Sequence, residues 1–366
     1  MATVGTVTQK LYPEIPHELI SRASSGQARI DHFPSQSSIS TKETSEGSLL
    51  KRTFKSLIDY SRTSSLGSSI LKLAATVLYL TNGLTSVFDI DIGANKLIEG
   101  ELNRKLFQPE TLVKMPKEQL EMVTLDSNTP DEPTLHGYYF ENPNSELAVI
   151  YLHGYNGSIF ECHPECTKLK KDLNTNVLIV DYRSFGINEG IPTIDGVVRD
   201  TERMYDYLTK EKGFKGKNII IYGVSLGGPV ALETYVSKLK PQKKELGAIG
   251  LLYPFSSIRD ITKWRYPEVP YNILPNDKLN SKRLAKYIDI PLHMAHGDAD
   301  NATPCIQSFV IYNNAKLLDP SQKEIYVIEG VGHEDIMDIV DSTPSVNGYF
   351  KSLRDFIIKH FPEHKF

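Results

Sequence analysis

Cysteine and tryptophan are scarce in this sequence, and neither sign of charge is in large excess. Its 366 residues include three cysteines and one tryptophan, and 41 basic against 45 acidic side chains give a formal net charge of −4. Cysteines so few and odd in number exclude a disulfide framework and favour a reducing compartment. The slightly acidic balance argues against a nucleic-acid partner, because such a partner requires a strongly basic face.

The start of the sequence also lacks a conventional secretory signal, since residues 1–5 contain no basic segment followed by an apolar core. Residues 1–52 have few large apolar side chains and are rich in serine and threonine. Such a segment cannot bury enough apolar surface to offset the conformational entropy that it would lose on ordering. We therefore predict a disordered tail over residues 1–52.

Residues 53–105 differ from the tail because they contain a long apolar run. This run, residues 66–88, carries one charge, Lys72, and is about as long as a membrane span requires, although Asn82 and Gly83 interrupt it. Two interpretations of this predicted helical segment stay open: helices packed on the rest of the protein or lining its entrance, and an anchor or hairpin at a membrane surface. We expect a cytoplasmic or membrane-associated protein that faces a reducing compartment.

From residue 106 to the end of the chain, short apolar runs alternate with helical patterns. The first two runs flank the turn-rich residues 128–131 and predict an antiparallel hairpin. Together the runs predict one α/β domain over residues 106–366, with a mostly parallel sheet of about eight strands and helices on both faces. The predicted strands are residues 121–125, 135–140, 147–152, 177–181, 219–222, 248–252, 292–295 and 325–328.

The most specific motif is Gly-x-Ser-x-Gly at residues 223–227, directly after the apolar run 219–222 and before a helical pattern. This strand–turn–helix context is typical of a nucleophile elbow, in which the serine hydroxyl projects from a strained turn. Glycine stands two positions on either side of the serine because a side chain there would collide with the strand or the helix. Ser225 is therefore a candidate nucleophile, and a glycine-rich turn without chemistry is the alternative for the motif alone.

Acidic and histidine side chains follow two of the later predicted strands. Asp298 and Asp300 come after residues 292–295, and His333 comes after residues 325–328. Because ligands gather at the carboxyl ends of parallel strands, we expect a serine, an acid and a histidine to meet at one edge of the sheet. Their order along the chain, serine then acid then histidine, is the order that the α/β-hydrolase fold uses.

Five segments at the strand ends resemble the signature blocks of α/β-hydrolase serine hydrolases. The most similar branch is the membrane-associated group of lysophospholipases, monoacylglycerol lipases and protein depalmitoylases, whose members often carry an amino-terminal hydrophobic segment. The resemblance covers roughly residues 105–362 and implies the α/β-hydrolase fold with a small cap after the sixth strand. The five blocks are residues 153–157, 181–186, 223–227, 296–300 and 330–333.

The resemblance also implies a role for each of three side chains. Ser225 is the nucleophile, His333 is the base that takes its proton and returns it to the leaving group, and Asp300 orients the imidazole. Asp300 matches the family's acid, whereas Asp298 is expected to be a solvated loop carboxylate. One departure lies at residues 334–335, a glutamate and an aspartate that are placed either to compete for the proton-bearing ring nitrogen of the base or to raise its pKa.

Two backbone N–H groups form the oxyanion hole that the resemblance implies. One belongs to Leu226, which follows the nucleophile, and the other to Tyr155, in the loop after residues 147–152. A backbone donor leaves the side chain of Tyr155 free to line an acyl pocket. We expect His153 to hold this loop in place rather than to react. We expect residues 181–183 to fix the loop beside the site through ion pairs.

The segment 254–289 after the sixth predicted strand is the candidate cap. It contains Trp264 among tyrosines and prolines, so it either shapes an apolar pocket over the nucleophile or packs as an ordinary connecting loop. Trp264 and Tyr155 are the candidate substrate-binding residues. Residues 162–166 contain two cysteines and one histidine but lack the second pair of ligands that a tetrahedral zinc site needs, and we expect neither a metal nor a cofactor.

These patterns favour one function over two alternatives. We expect a serine hydrolase that cleaves carboxylic ester or thioester bonds of lipid-like acyl substrates through an acyl-enzyme on Ser225. Its partners are then a small acyl ester or lipid and, through residues 66–88, a membrane surface. The alternatives are a peptidase of the same fold and a non-catalytic binding protein built on a hydrolase scaffold.

Overall fold

A computed structural model describes residues 121–127, 129, 132–155, 157–265, 278–333 and 344–366. The predicted tail over residues 1–52 and the predicted helical segment over residues 53–105, with its run 66–88, lie outside the described residues. In the part of the chain that is described, none of the helices is both long enough and apolar enough to cross a membrane.

Two compact units contain the described residues. The first unit contains the sheet and comprises the described residues of 121–257 and 279–366, whereas the helix Ile258–Arg265 belongs to the second unit. Of the predicted cap, residues 254–289, the two ends 254–257 and 279–289 belong to the sheet unit, whereas the described residues 258–265 belong to the second unit. A cap with these boundaries stays a prediction.

Eight strands of the first unit form one sheet, with the spatial order β1-β2-β4-β3-β5-β6-β7-β8. The first two strands form an antiparallel hairpin, β2 runs antiparallel to β4, and all other neighbours are parallel. The predicted eight-stranded, mostly parallel sheet is confirmed. The strands are β1 (Glu121–Leu125), β2 (Leu135–Phe140), β3 (Ala148–Leu152), β4 (Asn176–Val180), β5 (Ile219–Val224), β6 (Ala248–Leu252), β7 (Leu292–Gly297) and β8 (Lys323–Ile328).

The helices of the first unit are α1 (His163–Leu173), α2 (Ile194–Lys210), α3 (Gly227–Thr234), α5 (Ser281–Leu284), α6 (Ile306–Asn314) and α7 (Pro344–His360), and α4 is the helix Ile258–Arg265 of the second unit. Helix α2 shows why these segments are helical. Thr193 caps its amino terminus by accepting the backbone N–H of Gly196, and its buried side chains recur every three or four residues along one face.

Helices cover both faces of the sheet, as the alternation of strands and helices predicts. Side chains of β3 alternate between the two faces. Val149 and Tyr151 pack in a core with residues of α1 and α7, whereas Ile150 and Leu152 point to the opposite face, where α2 and α3 pack on β3. Central strand β5 has neighbours on both edges and helices on both faces, so all six of its residues are buried.

Candidate active site

The turn between β5 and α3 places Ser225 in a left-handed conformation. Ser225 has a φ of +52°, and its N–H donates to the carbonyl oxygen of Leu252 at 2.8 Å. A left-handed backbone costs a non-glycine residue about 1–2 kcal/mol. The contacts around this turn hold the serine there, at the carboxyl end of a central strand.

Both glycines of the motif are required by close backbone contacts. A Cβ atom added at Gly223 would lie 2.2 Å from the carbonyl oxygen of Gly227, and one added at Gly227 would lie 2.2 Å from that of Leu152. No side chain tolerates such a distance to a backbone oxygen. The first contact allows the helix to begin directly after the strand, and the second packs this helix against β3.

Ser225, His333 and Asp300 are joined by two hydrogen bonds. Oγ of Ser225 lies 3.0 Å from Nε2 of His333, and Nδ1 of His333 lies 2.6 Å from Oδ2 of Asp300. Because an ionised carboxylate only accepts, Nδ1 carries a proton, and Nε2 of the neutral ring is left to accept the serine hydroxyl. The structure thus brings together all three residues that the sequence placed at strand ends, and their catalytic roles stay predictions.

Both oxygens of the Asp300 carboxylate are occupied by donors. Oδ1 accepts the backbone N–H groups of Ala302 at 2.8 Å and Thr303 at 2.7 Å. Oδ2 faces Nδ1 of His333 and, at 3.2 Å, Nε2 of a second histidine, His296. Burial by itself would raise the pKa of Asp300, but the hydrogen bonds from the two histidines outweigh it and hold this pKa well below its usual range.

The loops that carry the acid and the base are tied to each other. Asp298 accepts the backbone N–H of Gly330 at 2.7 Å, and the N–H of Ala299 donates to the carbonyl oxygen of Val331 at 3.1 Å. Asp298 is partly exposed, so that its expected character as a solvated loop carboxylate stays a prediction, but one of its oxygens also binds a neighbouring loop. Its partner lies 32 positions away in the chain, and the sequence pattern around residue 298 contains no sign of that contact.

Tyr253 and His296 are two further residues of the site that the sequence analysis missed. The ring of Tyr253 lies 5.1 Å from that of His333 and 5.7 Å from that of His296, measured between centroids. Tyr253 follows β6 with a φ of +50°. The only signal in the sequence was its position at the end of a predicted strand. His296 stands inside one of the recognised blocks, but the pattern did not indicate that its ring contacts the acid.

The loop after β3 lies against the nucleophile. A Cβ atom added at Gly154 would lie 3.8 Å from the Cβ of Ser225, which is an ordinary van der Waals distance. Tyr155, the next residue, is in a turn and partly exposed, and Leu226 is buried directly after the serine. Leu226 follows the nucleophile directly in the sequence, and Tyr155 belongs to the loop that lies against it. The assignment of their backbone N–H groups as oxyanion-hole donors stays a prediction.

Buried contacts fix this loop from behind. His153 is fully buried, and its Nδ1 donates to the carbonyl oxygen of Gly154 at 2.8 Å. Asp181 accepts the N–H of Ile159 at 2.9 Å, and the hydroxyl of Tyr182 donates to the carbonyl oxygen of His153 at 3.1 Å. Burial lowers the pKa of His153 to about 4 and raises that of Asp181 to about 7. These contacts agree with the loop-holding role that we expected for His153.

Arg183 supplies the ion pairs expected of residues 181–183. Its guanidinium donates to both carboxylate oxygens of Asp200, at 2.6 and 2.9 Å, and also contacts Glu132. The side chain of Asp200 is completely buried. The arginine therefore links the loop after β4 to α2 and to the hairpin at the edge of the sheet.

Other candidate residues of the sequence analysis fall elsewhere. Trp264 lies on α4 in the second unit, and its contact with substrate stays a prediction. Residues 334–335 lie outside the described part of the chain. Cys162 and Cys166 are buried free thiols whose pKa burial raises well above the ordinary value. Among the described residues, no group of three or more His, Cys, Asp or Glu side chains is arranged to hold a metal ion.

Comparison with known proteins points to the same architecture. A family model described as alpha/beta hydrolase fold matches residues 149–312. Similar proteins include protein bem46 of Schizosaccharomyces pombe, which is 24% identical over 255 residues, 68% of this chain and 81% of the relative. The uncharacterized protein YfhR of Salmonella typhi is 29% identical over 212 residues, 55% of this chain and 70% of that protein.

Solved structures add the same evidence at the level of the backbone. An esterase from Pyrococcus furiosus superposes with a TM-score of 0.55 at 20% identity, covering 70% of this chain and 98% of the esterase. Est1E from Butyrivibrio proteoclasticus, solved with ferulic acid bound, gives a TM-score of 0.51 at 18% identity, covering 66% and 99%. The sheet order, the family model and these neighbours agree, and the chain has the α/β-hydrolase fold.

Proposed function

We propose that this chain is a serine hydrolase that cleaves carboxylic ester or thioester bonds through an acyl-enzyme on Ser225. The observation that carries the proposal is the pair of hydrogen bonds that links Ser225 to His333 at 3.0 Å and His333 to Asp300 at 2.6 Å. Nucleophile, base and orienting acid in this arrangement form the template of a catalytic triad. The esterase from Pyrococcus furiosus, which has a similar fold, supports an ester as the class of bond.

In the proposed reaction, Ser225 Oγ attacks the carbonyl carbon of the substrate while His333 Nε2 takes the hydroxyl proton. The tetrahedral intermediate collapses with cleavage of the C–O or C–S bond, and His333 returns the proton to the leaving alcohol or thiol. A water molecule, deprotonated by the same nitrogen, then hydrolyses the acyl-serine and releases the carboxylic acid. Asp300 keeps the ring in the tautomer that both steps need and stabilises the imidazolium in between.

The developing negative charge requires donors that are in place before the reaction. We assign this role to the backbone N–H groups of Leu226 and Tyr155, and the amino terminus of α3 adds a favourable dipole at the same point. One such donor contributes about 10²–10³-fold to kcat in enzymes of this type. The support for Tyr155 is that its loop lies against Ser225 at residue 154.

The finer part of the proposal concerns the acyl group, which we propose to be lipid-like. Its support comes from the sequence: the aromatic and proline-rich segment 254–289, with Trp264, and the apolar run 66–88. A pocket built by the first and a membrane surface contacted by the second both favour long apolar chains over short ones. Trp264 and the side chain of Tyr155 are the proposed contacts with the acyl group.

The test is a panel of substrates given to the full chain and to its Ser225→Ala variant. The panel contains p-nitrophenyl esters of short, medium and long acyl chains, a monoacylglycerol, a lysophospholipid, an acyl thioester, a feruloyl ester and a peptide anilide. We expect turnover that favours long acyl chains and disappears in the variant. Turnover of neither esters nor the thioester, or equal turnover in Ser225→Ala, would refute the proposal, and cleavage of the anilide alone would indicate a peptidase instead.

A further inference from the structure

The triad acid contacts a second imidazole that the proposed mechanism does not use. His296 lies near the end of β7, in the sequence block that also contains Asp300, and its side chain is completely buried. Its Nε2 lies 2.7 Å from the carbonyl oxygen of Thr303 and 3.2 Å from Oδ2 of Asp300. One N–H group is therefore shared between the triad carboxylate and the turn that follows it.

The partners of this ring fix where its proton lies. A carbonyl oxygen and a carboxylate can only accept, so Nε2 of His296 must carry a hydrogen. Its other nitrogen, Nδ1, lies 2.7 Å from the hydroxyl oxygen of Ser308 on α6. The neutral ring accepts the hydroxyl proton of Ser308 there, which leaves Nε2–H pointing at Thr303 and Asp300. The ring is thus held at both nitrogens.

We propose that His296 is a positioning residue for the triad: its Nε2–H holds the Asp300 carboxylate and the turn behind it in the arrangement from which Oδ2 orients His333. This inference rests on the proposed hydrolase function. It goes beyond that function because it assigns a positioning role to a fourth side chain. His296 acts through Asp300 and not through a hydrogen bond to Ser225 or His333.

The geometry explains why one donor at Oδ2 is not enough. The two backbone donors of Asp300 both bind Oδ1. Without His296, His333 would be the remaining donor to Oδ2 among the described residues, and its ring gains and loses a proton in every proposed cycle. His296 provides Oδ2 with a donor that stays in place while the charge on His333 changes. The buried ring of Tyr253 lies against both imidazoles.

A pH profile gives a readout of this contact, because His296 and the titrating base His333 share Oδ2 of Asp300. Asp300 faces it from its own loop, Ser308 from α6, and Tyr253 from the end of β6. When the Nε2 donor is removed, a hydrogen bond no longer balances part of the negative charge of Asp300, and the carboxylate attracts His333 more strongly. The imidazolium of His333 is then held more strongly, so the low-pH limb of kcat/KM moves to higher pH.

Two variants separate this role from ordinary packing. His296→Leu removes the donor and keeps an apolar side chain, whereas His296→Gln carries an amide N–H to about the place of Nε2. The matched control is His293→Leu, on the same strand. His293 is equally buried, but it lies three positions earlier and its Nε2 contacts Ser352 on α7 instead of the acid loop.

Steady-state kinetics on an ester that the wild type hydrolyses provide the measurement. We expect His296→Leu to lose about 10²-fold in kcat with little change in KM, as for a small misplacement of a catalytic group, and to shift the low-pH limb upward. His296→Gln should recover most of the loss, and His293→Leu should keep the wild-type limb even where its melting temperature falls. If His296→Leu does not fold, His296→Asn, whose amide ends near Nδ1, replaces it in the comparison with His296→Gln.

The possible failures are distinguishable. A wild type without esterase turnover would overturn the proposed function, and with it this inference. An active wild type whose His296→Leu variant keeps both kcat and the low-pH limb would overturn the inference alone. Equal losses in the Gln variant and in the Leu or Asn variant would do the same, because they would show that the volume of the ring matters and its N–H does not.

Discussion

Replacing Asp300 by asparagine should disable the site while leaving its shape almost unchanged. Each oxygen of this carboxylate faces two N–H donors: Ala302 and Thr303 at Oδ1, and His333 and His296 at Oδ2. An amide has only one acceptor oxygen, so in either orientation its NH₂ group must face two other donors. If the NH₂ group takes the place of Oδ2, His333 is driven into the tautomer whose Nε2 cannot accept the serine proton.

The expected magnitudes follow from these contacts. A triad base in the wrong tautomer lowers kcat by about 10⁴-fold. Each hydrogen bond to a charged group contributes about 1.5–3 kcal/mol, so the loss of two should lower the free energy of unfolding by about 3 kcal/mol or more near pH 7. The pKa of Asp300 is depressed in the folded state, so its stabilising effect is present above the unfolded carboxyl pKa of about 3.9 and is lost as the pH falls through the folded pKa.

The assay combines ester hydrolysis with urea unfolding between pH 3 and pH 8. The stability difference between wild type and Asp300→Asn should be largest near neutral pH and shrink under acid conditions. Asp298→Asn is the matched control, since its amide oxygen can still accept the N–H of Gly330. That variant should lose no more than about 1 kcal/mol. Near-normal kcat in Asp300→Asn, or equal losses in both variants, would refute this account of the acid.

Three further changes test other parts of the structure. Gly227→Ala places a methyl group 2.2 Å from the carbonyl oxygen of Leu152. We expect this variant to lose ester hydrolysis and, in denaturant unfolding, at least the ~1–3 kcal/mol of unfolding free energy that is typical of overpacking. Burial raises the pKa of Glu165 to about 7, so the free energy of unfolding falls as the pH rises from about 4.3 to about 7 and stays low above it. Glu165→Gln should therefore have a higher melting temperature than the wild type at pH 8 but not at pH 4. Arg183→Met removes the guanidinium that binds both oxygens of the buried Asp200 carboxylate and leaves that of Arg203 at 3.7 Å. This variant should lose about 3–5 kcal/mol by denaturant unfolding, part of which Asp200→Leu in the same chain restores.

Much of the fold follows from local patterns in the sequence. The apolar runs are short, rich in β-branched residues and separated by helical patterns, so their order and type could be predicted, with bounds within two residues of the strands. The largest differences are at β5, β7 and β8. Strands β5 and β7 continue two residues further, through glycines 223 and 297, and β8 begins two residues earlier, at Lys323. Glycine and lysine have low strand propensity, and sheet pairing overrides it here.

The site itself was predictable only in part, because several of its contacts join residues that lie far apart in the sequence. The carboxyl ends of parallel strands lie at one edge of the sheet, so the proximity of a serine, an acid and a histidine that follow such strands could be predicted from the sequence. The roles of Asp298, His296 and Tyr253 depend on contacts across loops, and no periodicity marks such contacts. Composition likewise does not reveal where the segment 254–289 packs, so the contact of Trp264 with substrate stays a prediction.

An active-site-directed fluorophosphonate reports whether His333 activates the hydroxyl of Ser225. The full chain is incubated with the probe, digested, and mapped by mass spectrometry, beside Ser225→Ala and His333→Ala. We expect a single adduct on the peptide that contains Ser225, absent from Ser225→Ala and formed much more slowly in His333→Ala. An unlabelled wild type, or an adduct that persists in Ser225→Ala, would contradict it.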